Sequence, residues 1–284
     1  MFADMRDSIR VIRPLMIFVI VAFSSAVDPA RQQSKNRANK VRELIHAAAA
    51  GDTSKVLQLL NTGANVNATF ERGHSELSGQ TALMAASSRG HSDLVLALIK
   101  RGANVNLKHY SGMTALMYAA GSGDESTVKA LLDAGADVNA KLVSPHAGEF
   151  TPLTTTINTD YPQRFEIARI LLAAKAEVNP KGPFLISPLM HALEDLEMVK
   201  LLIAHGADVN QKNFRGATAL MGAAVGKDVA VVQYLIEKGA NVKARDQDGY
   251  TALMAAENQQ TMVAAEERDE IIRVLKRAEA GVKP

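Results

Sequence analysis

Three histidines come nearest to chemistry in this chain: His74, His109 and His146. They fall in three successive loops, and imidazole is the commonest side-chain ligand for zinc-like metals. Loops standing side by side could bring the three rings together, so a metal-binding or enzymatic protein built on them is one reading. The spacing argues against it, because zinc sites usually draw ligands from short sequence pairs and none is present. There is no Cys, which excludes thiolate ligands, Cys nucleophiles and disulfides. H-E-x-x-H, G-x-S-x-G and Walker sequences are all lacking. Carboxylates are scattered, and no spacing pairs them for acid–base work. No catalytic residue, metal ligand or cofactor site is therefore assigned.

The totals describe a packed, nearly neutral chain. Hydrophobic residues make up 47% and charged residues 22% of 284 positions, enough for a core. The formal net charge of +2 gives no broad pull toward nucleic acid. Trp is absent and aromatics are few, so Ala, Leu and Val must carry the interior.

The first residues form a separate segment. Arg6, Arg10 and Arg13 precede the apolar run "LMIFVIVAF" (15–23), and "SSA" (24–26) follows with small side chains. That order is a secretory signal peptide with cleavage after Ala26; Met5 is an alternative start. As a helix the nine apolar residues would span about 14 Å, against a hydrocarbon core of about 30 Å. Stable membrane insertion is not expected after cleavage, and the mature chain is expected in the periplasm or outside the cell. Residues 27–40, "VDPARQQSKNRANK", read as a polar basic linker leading to a domain over 41–280.

Within that domain the same phrases return. "GA-x-V-N" starts at 63, 102, 135 and 206, with "GANVK" at 239 and a degraded "KAEVN" at 175. A "T-x-L" phrase starts at 81, 114, 151, 218 and 251, and as Ser at 187. Spacings of 33 recur in both series, with insertions at defined places. Each phrase has a mechanical role. Thr81 can cap a helix N-terminus with its hydroxyl. Ala82, Leu83, Ala85 and Ala86 then form a short helix, which Gly90 ends by taking a left-handed conformation. Leu94, Val95, Leu98 and Ile99 give a second helix its buried side. Seven helix pairs result, near 41–60, 81–100, 114–133, 151–173, 187–204, 218–237 and 251–277. None could bury its apolar face alone, so stability comes from neighbour contacts along a stack.

The phrases "TALMAA" (81–86 and 251–256), "TALMYA" (114–119), "TALMGA" (218–223) and "SPLMHA" (187–192), in register with "GADVN", resemble the ankyrin-repeat family over about 41–279. The resemblance implies an all-α solenoid of about seven helix pairs with extended turn loops. One departure recurs: Met84, Met117, Met221 and Met254 stand where the family carries a His that braces the loop, which puts local rigidity in doubt. His46 and His191 lie at or beside that position and read as loop braces; His91 follows a helix-ending Gly and reads as scaffold.

The resemblance also implies where function sits: on the turns and the adjoining inner helices, which bind other proteins in this family. Long loops at 68–80 and 140–150 contribute Phe70, Arg72, His146 and Phe150. The turn tips contribute Tyr110, Ser111, Met113, Phe214, Arg215, Gln247, Asp248 and Tyr250. First-helix ends contribute Ser88, Arg89 and Ser122. Aromatic and Arg side chains on exposed turns suit protein interfaces. A further insertion at 158–165 and a two-residue shortening at 191–198 make the middle the least regular part. The expected protein is an exported, monomeric, non-catalytic binder acting as a scaffold or an inhibitor, with no nucleic-acid partner.

Overall fold

The computed structural model describes residues 29–70, 77–144, 148–182, 186–226, 228–258 and 265–281. Helices over these residues come in seven pairs. The first two pairs are α1 (Pro29–Ala49) with α2 (Thr53–Asn61), and α3 (Ala82–Ser87) with α4 (Ser92–Lys100). Next come α5 (Ala115–Ser122) with α6 (Glu125–Asp133), and α7 (Pro152–Ile157) with α8 (Arg164–Ala173). The last three are α9 (Pro188–His191) with α10 (Leu196–Ala204), α11 (Ala219–Ala224) with α12 (Val229–Glu237), and α13 (Ala252–Asn258) with α14 (Ala265–Glu279). Strands β1 (Leu142–Ser144) and β2 (Gly148–Phe150) form an antiparallel hairpin in the long loop before α7, with Leu142 opposite Phe150.

Local rules make each pair. The hydroxyls of Thr81, Thr114 and Thr151 accept hydrogen bonds from Met84, Met117 and Thr154 N–H, satisfying donors that a helix N-terminus leaves free. The second helices use carboxylates instead: Asp52, Asp124, Asp195 and Asp228 accept from the first turns of α2, α6, α10 and α12. Gly90 and Gly102 take φ of +69° and +83° and turn the chain after α3 and α4.

Packing follows one position through the repeats. Leu83, Leu116, Leu153, Leu189 and Leu220 are all fully buried, each sandwiched between neighbouring units. Burying such a side chain contributes roughly 2–3 kcal/mol, and one unit alone could not do it. The inner helices stack in the order α1, α3, α5, α7, α9, α11, α13. The outer helices stack as α4, α6, α8 and as α10, α12, α14. Between the fourth and fifth units the contact runs mainly through α7 and α9.

The last Asn of each "GA-x-V-N" phrase ties its unit to the next. Asn106 donates from Nδ2 to Gly135 O (3.0 Å), and its Oδ1 accepts from Asp137 N–H (2.8 Å). Asn67, Asn139, Asn179 and Asn210 make the same two bonds to the following unit. Lys243 occupies this position after α12, ahead of α13 and α14.

One sequence expectation changes. The polar stretch expected as a linker is helical from Pro29, so linker and first unit share one helix. Pro at the first helical position and the Ala, Gln, Lys and Arg that follow favour this. The Met residues at the family's His position take up largely interior places. Met84 and Met117 are buried in the core, and only Met254, in the last inner helix, is 42% exposed.

Candidate protein-binding face

The turns before the inner helices share one frame. Asn213 Oδ1 accepts from Arg215 and Ala217 N–H, and Asp246 Oδ1 accepts from Asp248 and Tyr250 N–H. Gly216 and Gly249 then take φ of +77° and +81°, a conformation strained for any side-chain-bearing residue. His109 fills the same slot in the third unit. Its Nδ1 lies 3.2 Å from Ser111 N–H and 2.6 Å from Ser111 Oγ, and its Nε2 lies 2.8 Å from Ser78 O. The ring is buried, and its backbone N–H donates to Met113 O at 2.8 Å. His109 is therefore a turn brace that also ties the third unit to the second. A metal would have to displace bonds at both nitrogens. His74 and His146, the other members of the trio, lie outside the described residues, as does Arg72. Among the described residues no group of three His, Cys, Asp or Glu could hold a metal.

Turns braced in this way hold their tips outward. Tyr110 is 80% exposed, Phe214 45% and Tyr250 46%. The Tyr110 ring lies over Gly79, where any added Cβ would strike it. Arg215 sits over the Phe214 ring, 5.7 Å from its centre. The sixth and seventh turns are joined: Gln247 N–H donates to Arg215 O and its Nε2 to Phe214 O, both at 3.0 Å. Phe214, Arg215, Gln247, Asp248 and Tyr250 thus form one cluster on adjacent turns. Tyr110, Ser111 and Met113 form a second, three units away.

The remaining expected positions are more dispersed. Phe70 is half-buried against the core, and its carbonyl accepts from Gly79 N–H. Phe150 ends β2 with its ring 6.0 Å from that of His191. Ser88 Oγ donates to Ala85 O, and Ser122 Oγ donates to Ser87 O and Ala119 O. Those two hydroxyls serve the scaffold, while Arg89 stays exposed. His91 is a second histidine brace, its Nε2 meeting Ala49 O at 3.1 Å, whereas His46 is exposed.

A cleft between the fourth and fifth units was not among the expected site residues. It encloses about 410 Å³ and is lined by Asn158, Asp160, Arg164, His191, Glu194 and Asp195 beside Ile157 and Met198. Its origin is visible in the chain: α9 has only four residues, and extra residues follow α7. The irregular spacing at 158–165 and 191–198 was the available signal. Arg164 bridges the cleft, donating to Asp195 Oδ2 at 2.8 Å and to Thr159 O at 2.9 Å. His191 contacts Asn158 through Nδ1 at 3.3 Å, while its buried Nε2 has no hydrogen-bond partner. Burial holds the imidazole pKa below its usual value.

The family model for ankyrin repeats (3 copies) matches residues 44–141 and 189–282, more than half of the chain. The unmatched stretch between them contains the hairpin and the fourth unit. Among solved structures, the chain is similar to the human ASB11 ankyrin repeat domain, with 28% identity, a TM-score of 0.65, and 81% of this chain and 96% of that one covered. It is also similar to the ankyrin repeat domain of Bcl-3, described as a unique member of the IkappaB protein family. There the identity is 26%, the TM-score 0.64, and the coverage 81% and 97%. No curated protein sequence matches significantly.

Proposed function

Since the chain belongs to the ankyrin-repeat family, whose repeats are generally protein–protein interaction modules, we propose that it is an exported, non-catalytic binding protein. It recognises a partner protein through its turn tips and the adjoining ends of its inner helices. The observation that carries this reading is the pairing of exposed aromatic tips with turns braced by backbone hydrogen bonds. Rigid aromatic anchors lose little freedom on binding, and such side chains dominate interface energies. Tyr110 forms one anchor, and Phe214, Arg215 and Tyr250 form the other.

Export rests on the order of the first 26 residues: a basic start, a short apolar run and small residues at 24–26. Cell fractionation with N-terminal sequencing checks it; a cytoplasmic protein retaining residues before Val27 would refute it. The role is scaffold or inhibitor. Saturating a captured enzyme partner with this protein separates the two, because an inhibitor abolishes the partner's activity and a scaffold leaves it intact.

Crosslinking and capture with the tagged full-length chain tests the binding face itself. A partner captured by wild type should be lost, or weakened about tenfold or more, in a Tyr110→Ala/Phe214→Ala variant. Undiminished capture by that variant, shown by circular dichroism to be folded, would remove the turn tips from the binding face.

A further inference from the structure

The first helix carries a charge pattern that the repeat stack does not use. Between Asp28 and Glu43 the chain holds Arg31, Lys35, Arg37, Lys40 and Arg42 and no acidic residue. The structure makes this stretch the leading half of α1, while the buried residues Leu44, Ile45, Ala47 and Ala48 all lie in its last turns. Residues 29–37 are exposed throughout. At 1.5 Å per residue, they project roughly 14 Å of helix beyond the packed part.

Arg31, Lys35 and Arg42 stand four and seven residues apart, which places them on one face at 3.6 residues per turn. Leu44, Ala47 and Ala48, which pack on the stack, lie across the helix from that face, and the buried Ile45 lies at its edge. Among the described residues, Arg31, Lys35, Arg37 and Arg42 have neither an ion pair nor a side-chain hydrogen bond. Lys40 alone is engaged, donating from Nζ to Thr62 O at 2.8 Å. The segment from 29 to 49 has no Phe, Tyr or Trp on which nucleic-acid bases could stack. Upstream lie Arg6, Arg10, Arg13 and the apolar run 15–23, the order read above as a signal peptide that directs the chain to a membrane for export.

We propose that the Arg31/Lys35/Arg42 face of α1 docks on an anionic phospholipid surface and holds the repeat stack beside a membrane by electrostatic attraction. Clusters of basic residues on a helix are attracted to acidic headgroups within a Debye length, and salt weakens them. This contact is peripheral. It needs neither retention nor removal of the apolar run, and it does not depend on the protein-binding reading.

The test is partitioning of the full-length chain onto phosphatidylcholine vesicles, with and without phosphatidylglycerol. The ratio of the two partition coefficients cancels what the apolar run contributes to both. Arg31→Gln/Lys35→Gln/Arg42→Gln should lower that ratio about tenfold or more at low salt, given the strength of such contacts per charge. A control variant, Lys100→Gln/Lys129→Gln/Lys243→Gln, removes the same charge from the repeats and should leave the ratio near wild type. An unchanged ratio in the first variant overturns the proposal. An equal fall in both variants also overturns it, because net charge would then be responsible. If wild type binds a DNA duplex but shows no preference for the acidic vesicles, the face serves nucleic acid and the lipid assignment fails.

Discussion

The joint between the second and third units and the seam between the fourth and fifth are made from the same repeat, yet they differ in every layer. At the regular joint, α3 packs on α5 and α4 on α6, an Asn67 bridge spans the units, and His109 adds a tie to Ser78. At the seam, α9 is one turn long, the outer layer is weakly joined and a cleft opens. Lys175 replaces the helix-ending Gly with φ of +70°, and Glu177 replaces the Asn or Asp that elsewhere braces the start of the loop. The Asn139 and Asn179 bridges nevertheless persist on both sides. The contrast shows that neighbour bonds hold the stack in register while the interior of a unit can change. Irregularity is tolerated there, and the family model leaves residues 142–188 unmatched.

The largest effect should come from the core of the regular region. Leu116→Ala removes a fully buried side chain between units and should cost about 3 kcal/mol in urea unfolding. A loss under about 1 kcal/mol would mean the joint repacks freely.

Next come the bridges. Asn106→Ala deletes two bonds to Gly135 and Asp137 in the loop after α6 and should cost about 1–2 kcal/mol. Lys243→Ala, at the equivalent place in the loop after α12, should change stability by less than about 0.5 kcal/mol. Equal effects at the two positions would show that the bridge is not what matters.

At the seam a gain is expected. Lys175→Gly relieves a left-handed conformation and should stabilise the protein by roughly 0.5–1 kcal/mol, net of the entropy glycine adds to the unfolded chain. Destabilisation would mean that the Lys stem contributes packing at the seam.

The smallest effect at neutral pH belongs to His191. Burial lowers its folded pKa below the ordinary imidazole value of about 6.5, so the unfolded chain takes up a proton first as pH falls. Stability from this group is full above the unfolded value and is lost progressively as pH drops from about 6.5 toward the folded value. Wild type should therefore lose stability between pH 7.5 and 5.5 faster than His191→Leu, as read by urea midpoints. Parallel slopes would show that protonation of His191 is not resisted by the fold.

Much of the fold was legible because its causes are local. Thr81, Thr114 and Thr151 announce helix starts, Gly90 and Gly102 announce ends, and the spacing of 33 announces a stack. The exposure of Tyr110, Phe214 and Tyr250 followed from their place between a turn residue and a helix cap. The bracing role of His109 was not read from the sequence, where its ring was weighed only as a metal ligand and set aside. Aligning its turn with those of Asn213 and Asp246 would have placed it in the bracing slot. The extent of α1 was also missed, since polar residues with no apolar period look like a linker even when their helix propensity is adequate.

The sequence by itself determined the units, their number, their caps and the order in which they stack, since each depends on residues within one repeat. Tertiary structure alone decided which Asn reaches which carbonyl, that Met84 and Met117 become core, and that a cleft opens beside His191. Those outcomes depend on what the neighbouring unit brings within a few ångströms, and no single repeat encodes that distance.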